Sequence, residues 1–161
     1  MIAVREAYEN VRDQIGGCGI WCGSCAVGNG SLRTLTARFE QVLDAHGVGH
    51  WAPAEMDYPA FTRSLSVLRE IATCVGCRKG GGRDDCALRA CAVERALADC
   101  AGCPEFGACP NDAVLEQMRE GARTAGLFVR EPDEDPADRL RDWSERVKTT
   151  WPSRILFEEE G

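Results

Sequence analysis

Ten cysteines, gathered into three short clusters, constrain this chain more than any other feature. They are Cys18, Cys22 and Cys25, then Cys74, Cys77, Cys86 and Cys91, then Cys100, Cys103 and Cys109. Each cluster carries one C-x2-C pair: Cys22/Cys25, Cys74/Cys77 and Cys100/Cys103. Such a turn aims two sulfurs at one point, which is what a tetrahedral ion needs. The segment 74–109 makes the need concrete. Its 36 residues hold five sizeable apolar side chains, Val75, Leu88, Val93, Leu97 and Phe106. Each contributes about 1.5–3 kcal/mol when buried, whereas ordering the backbone costs about 1–2 kcal/mol per residue. Segments below about 40 residues usually recruit a metal or disulfides, and a structural zinc site supplies on the order of 10–16 kcal/mol. A metal is therefore expected as the nucleus of this segment.

The rest of the chain is ordinary. At 44% hydrophobic and 28% charged it is globular rather than disordered. A net charge of -7 argues against a nucleic-acid partner, which needs clustered Lys and Arg. No stretch approaches the roughly 20 apolar residues of a membrane span. The first ten residues lack the apolar core of a secretory signal. These features predict a cytoplasmic protein whose thiols stay reduced and serve metals rather than disulfides.

The periodicity predicts a mainly α fold, a small helical domain with a cysteine-rich, loop-rich metal-binding centre. The whole chain, 1–161, reads as one domain. Its cysteine-rich region is 15–110, and a helical extension, 131–161, follows an acidic linker. Val4, Tyr8, Val11 and Ile15 form a helical stripe ended by Gly16-Gly17. Ser31 is a candidate N-cap for a helix in which Leu32, Leu35, Phe39, Val42 and Leu43 keep helical spacing and which Gly47 stops. Asp57 and Pro59 open the next, with Phe61, Leu65, Leu68 and Ala72 on one face. A short helix is expected over 86–98. Another, capped by Asn111 or Asp112, turns Val114, Leu115 and Met118 inward. The last carries Leu140, Trp143, Val147 and Trp151. Residues 127–129 and 155–157 are candidates for a short strand pair. The four tryptophans, Trp21, Trp51, Trp143 and Trp151, read as core anchors, and the acidic run 131–138 as a solvated linker.

Spacing groups Cys74, Cys77, Cys86 and Cys91 as one four-thiolate site. The other six cysteines exceed one tetrahedral site by two. They could form one such site plus a free pair, or two three-cysteine sites completed by another ligand. His46 and His50 have ligand spacing, but Gly47 and Gly49 break the helix that would align them. Cys18, Cys22 and Cys25 have the C-x3-C-x2-C spacing of radical S-adenosylmethionine enzymes, yet this chain is too short and too helical for their barrel. No phosphate loop, H-E-x2-H or G-x-S-x-G motif occurs.

The cysteine segments resemble a known family. Cys-Gly-Ile-Trp-Cys-Gly-Ser-Cys at 18–25, followed by Gly-Asn-Gly, is similar to the opening of the domain of unknown function 3795 family. So are Cys-Val-Gly-Cys-Arg-Lys-Gly-Gly-Gly at 74–82, the two cysteines of 86–96, and Cys-Ala-Gly-Cys-Pro-Glu-Phe with Cys109. Ala26 stands where that family commonly has proline. The resemblance implies metal binding, of zinc or an iron–sulfur cluster, through all ten cysteines. It implies no reaction.

Two functions are compatible with this reading. One is a module stapled by zinc in four-thiolate sites whose helical faces bind a protein partner, with no nucleic acid and no membrane involved. The alternative is an iron–sulfur redox protein or a handler of soft metals, suggested by the surplus of cysteines over four-fold sites. No catalytic constellation is evident.

Overall fold

The computed structural model describes residues 14–150 and is mainly helical. Among those residues the α-helices are α1 (Ser31–Ala45), α2 (Tyr58–Glu70), α3 (Ala87–Glu94), α4 (Asp112–Thr124) and α5 (Pro136–Thr150). Short 3-10 turns interrupt the loops, three of them on cysteines: Cys22–Ser24, Cys77–Lys79 and Cys100–Gly102. There is no strand among the described residues, only two isolated antiparallel bridges, Ile15 with Trp21 and Ile20 with Val129.

Side chains cap the first turns of α2, α3 and α5, whereas Asn111 at the start of α4 makes no side-chain cap bond. Asp57 accepts a hydrogen bond from the Ala60 N–H (2.9 Å) at the start of α2, with Pro59 in its first turn. At α1 the N-cap is Gly30 (φ +75°) rather than Ser31, and Asn29, one residue earlier, supplies the side-chain acceptor. Its buried carboxamide accepts from the Ser31 N–H (3.0 Å) and donates to the Gly23 carbonyl (3.0 Å). One side chain thus starts the helix and fastens it to the first cysteine loop.

α1 and α2 pack against each other as a hairpin. Phe39 and Phe61 meet edge to face at 6.2 Å, and Arg69 pairs with Glu40 at 3.0 Å. Leu43 and Leu65 are buried, but Leu35, Phe39, Val42 and Leu68 stay exposed. Two helices cover only one stripe of each other, so the wide apolar face read from sequence is half used. Ala72 lies beyond the end of α2.

The body of the protein has two apolar clusters. In the first, Trp21 is fully buried and stacks on Phe128 (5.9 Å, 11° between planes) and Trp143 (6.0 Å). Ile15 and Val147 complete it. This cluster seats α5 on the loop that carries Cys18 and Cys22. In the second, Leu88 of α3, Cys100 and Leu115 of α4 pack together, flanked by Phe106 and Met118. Val114 is exposed, because it lies one position off the buried stripe of α4.

Several sequence expectations change. Ile15 forms a bridge with Trp21 instead of ending a helix. The remainder of that stripe, Val4, Tyr8 and Val11, lies outside the described residues, as do Trp151 and 155–157. Residues 127–129 pair with Ile20 through Val129. Trp51 is no core anchor. It is 65% exposed, its indole N–H donating to the His46 carbonyl (3.0 Å). The acidic run is structural as well as solvated. Glu131 pairs with Arg119 (2.7 Å) and Arg123 (2.8 Å), and α5 begins at Pro136.

Candidate metal centre

All ten cysteines are free thiols, nine of them half-buried and Cys100 buried. They line two separate cavities. Cys18, Cys22, Cys25, Cys74, Cys77 and Cys86 face an open cavity of about 250 Å³. Cys91, Cys100, Cys103 and Cys109 face a smaller one of about 20 Å³. This division differs from the grouping that spacing suggested, and helix geometry explains why. Cys86 is the N-cap of α3 and Cys91 lies five residues on. At 3.6 residues per turn that is about 140° around the axis. The two sulfurs therefore address different sides of α3. Cys91 joins the third cluster, and Cys86 joins Cys74 and Cys77 in facing the first.

The large cavity is assembled by residues far apart in sequence. Gln14 joins its two halves. The Gln14 carbonyl accepts from the Cys22 N–H (3.0 Å), its Nε2 donates to the Val75 carbonyl (3.2 Å) and its Oε1 accepts from the Arg78 N–H (3.2 Å). Gly76 has φ +88°, and a Cβ there would run into the Gln14 carboxamide. Arg89 of α3 gathers the glycine loop by donating to the carbonyls of Cys77 (3.3 Å), Gly81 (2.9 Å), Arg83 (2.7 Å) and Asp84 (3.3 Å). Arg119 of α4, 1% exposed, donates to the Cys18 carbonyl (3.2 Å) and the Arg130 carbonyl (2.9 Å). Its guanidinium comes so close to Gly19 (φ +86°) that a Cβ there would lie 2.7 Å from Nη1.

The small cavity rests on a buried ion pair. Asp99 accepts from the Gly102 N–H (3.2 Å), which fixes the Cys100–Gly102 turn, and binds Arg130 at 2.6 Å. Arg95 reaches across to Cys103 Sγ (3.6 Å) and Glu105 (2.6 Å).

Backbone N–H groups point at sulfur in both places. Gly76 N–H donates to Cys74 Sγ (3.4 Å), Arg89 N–H to Cys86 Sγ (3.5 Å) and Asn111 N–H to Cys109 Sγ (3.4 Å). Such donors fix the direction in which each sulfur points. Burial acts on three other thiols. It raises the Cys18 thiol, and it pushes Cys22 up to about 11 and Cys100 up to about 12. Neighbouring thiols add to each shift: Cys77 and Cys74 at Cys22, Cys18, Cys109 and Cys91 at Cys100. Within each set the sulfurs lie within electrostatic reach of one another, and Cys18 also reaches Cys100 across the two cavities. Among the described residues, no three His, Cys, Asp or Glu side chains form a group that could hold a metal ion. His46 and His50 are exposed and line neither cavity.

The cysteines themselves were legible in sequence. Gln14, Arg89, Asp99 and Arg119 were not singled out. Each acts through backbone carbonyls or a distant partner, which leaves no local spacing signal.

A helical, cysteine-rich protein with thiol-lined cavities is the class these observations define. The family model for a protein of unknown function, DUF3795, matches residues 14–113, well over half the chain, and the chain belongs to that family. No curated protein and no solved structure matches it. Among the described residues no helix is long and apolar enough to cross a membrane.

Proposed function

We propose that this is a metal-binding protein in which Cys91, Cys100, Cys103 and Cys109 hold one structural zinc ion. The observation that carries the reading is that four thiols, from α3 and two loop turns, line one cavity of about 20 Å³. That is room for little more than one water-sized particle. The donor set suits zinc, for which four thiolates at about 2.3 Å make a closed tetrahedral site. Arg95 beside Cys103 would offset part of the negative charge that four thiolates leave on the site.

A zinc saturated by thiolates has no open position for a substrate, so the role of this site is structural and the protein's role is binding or interaction. Leu35, Phe39 and Val42, exposed on α1, supply apolar surface for a protein partner. A reducing cytoplasm is the compartment that would keep the thiols available.

The test is zinc content and thermal stability of the purified protein and its Cys109→Ser variant. One zinc per chain is expected to disappear with the substitution, together with a lower melting temperature. Zinc content and melting temperature unchanged by Cys109→Ser would overturn the proposal.

A further inference from the structure

We propose that the larger cavity, faced by Cys18, Cys22, Cys25, Cys74, Cys77 and Cys86, binds an iron–sulfur cluster. The inference is independent of the zinc reading, because no cysteine is shared between the two cavities.

Size is the first argument. Four thiolates around one ion at about 2.3 Å enclose that ion and nothing else. This cavity has about 250 Å³, more than ten times the volume of the smaller one. A single ion would leave most of it empty, whereas a cluster of several irons bridged by inorganic sulfide brings its own bulk. Donor chemistry is the second. Six thiols face the cavity, and no Asp, Glu or His lines it. Hard cations such as magnesium or calcium need oxygen ligands, while thiolates select soft ions and iron–sulfur clusters. Four of the six suffice for a cluster.

The walls are the third argument. Apart from the thiols they are apolar, with Ile20, Met118 and Leu127 at the lining, together with the cation Arg89, which is held by neutral carbonyls, and Arg83, which is paired with Asp85 (3.2 Å). A cluster carrying four thiolates is an anion, and positive charge and hydrogen bonds to sulfur stabilise it. The N–H donors to Cys74 and Cys86 are already in place. Gly81 lets the backbone pass close to a ligand sulfur, since a Cβ there would lie 2.7 Å from Cys74 Sγ. Any side chain at that position would displace the thiol.

The test is anaerobic reconstitution of the full-length protein with ferrous iron and sulfide. Iron, acid-labile sulfide and visible absorption are then measured. The expected result is a brown protein with equimolar iron and sulfide, about four of each per chain if the cluster is of the cubane type. Cys22→Ser/Cys77→Ser should lose both, while Cys109→Ser should keep both and lose only zinc. Far-UV circular dichroism shows whether the double variant folds. If it does not, single Cys25→Ser and Cys86→Ser variants replace it, and a loss of at least half the iron in one of them is the expected reading. Failure to take up iron and sulfide overturns the proposal. So does uptake of zinc alone by the six-thiol set, or full iron and sulfide retained in the folded variants.

Discussion

Asp99 and Arg130 form an ion pair at 2.6 Å beneath the Cys100–Gly102 turn, and Asp99 is only 1% exposed. In Asp99→Ala, Arg130 remains charged and buried with its partner gone. Removing one member of a buried pair costs about 3–5 kcal/mol. The lower end applies here, because Arg130 Nε still donates to the Glu134 carbonyl at 2.7 Å. The lost cap on the Gly102 N–H adds about 1 kcal/mol. The expected destabilisation is about 4 kcal/mol, a large part of the roughly 5–15 kcal/mol that holds a typical domain folded. Urea unfolding of the purified protein, followed by far-UV circular dichroism, measures it from the shift in midpoint. Two further variants separate the causes. Asp99→Asn keeps an acceptor for Gly102 and should lose about 3 kcal/mol. Asp99→Ala/Arg130→Met removes both charges and should recover most of the loss, since an apolar replacement of a whole buried pair is often nearly neutral. A double variant no more stable than Asp99→Ala alone would refute the reasoning, because the cost would then not come from an orphaned charge.

Ala96, just after α3, has φ +53°, a conformation that favours glycine. Ala96→Gly should raise stability by about 1 kcal/mol in the same unfolding assay. Trp21→Ala should cost about 3–5 kcal/mol and release α5, seen as lost protection of its amides in hydrogen exchange. The pH dependence of the metal-free protein follows from the thiols. Cys22 and Cys100 ionise near 9 when unfolded but are held at about 11 and about 12 in the fold. The folded state keeps those protons longer, so their contribution is fully present below pH 9. It is lost as pH rises from about 9 toward 11 or 12, by at most about 1.4 kcal/mol per unit for each thiol. A pH series of thermal melts checks the sign. Stability that rises over this range would contradict it.

The helices were largely legible because their signals are local. Asp57 and Pro59 open α2, and Leu140, Trp143 and Val147 mark α5, all within a few residues of each other. Burial was less legible. Periodicity says that Leu35, Phe39 and Val42 share a face of α1, but whether a third layer covers that face is a tertiary fact. Trp51 fails for the same reason. The ten cysteines were visible as candidate ligands, yet their division between the two cavities was not. Sequence proximity placed Cys91 with Cys86, whereas the rotation of one helix separates them. Contacts carried by single long side chains, such as Gln14 to Val75 and Arg119 to Cys18, span 61 and 101 residues and leave no trace in spacing.

The α1–α2 hairpin leaves the body beside Val27 and returns at Cys74, where the Cys74 N–H meets the Val27 carbonyl at 3.4 Å. The excursion therefore starts and finishes at almost the same point, and the rest of the protein senses it mainly as a tether between neighbouring anchors. Doubling the length of such a tether costs only about 0.6 kcal/mol in closure entropy. The hairpin is in that sense an interchangeable cassette. A trimmed, extended or foreign helical pair could be spliced in at this junction without re-engineering the sulfur-lined body below it.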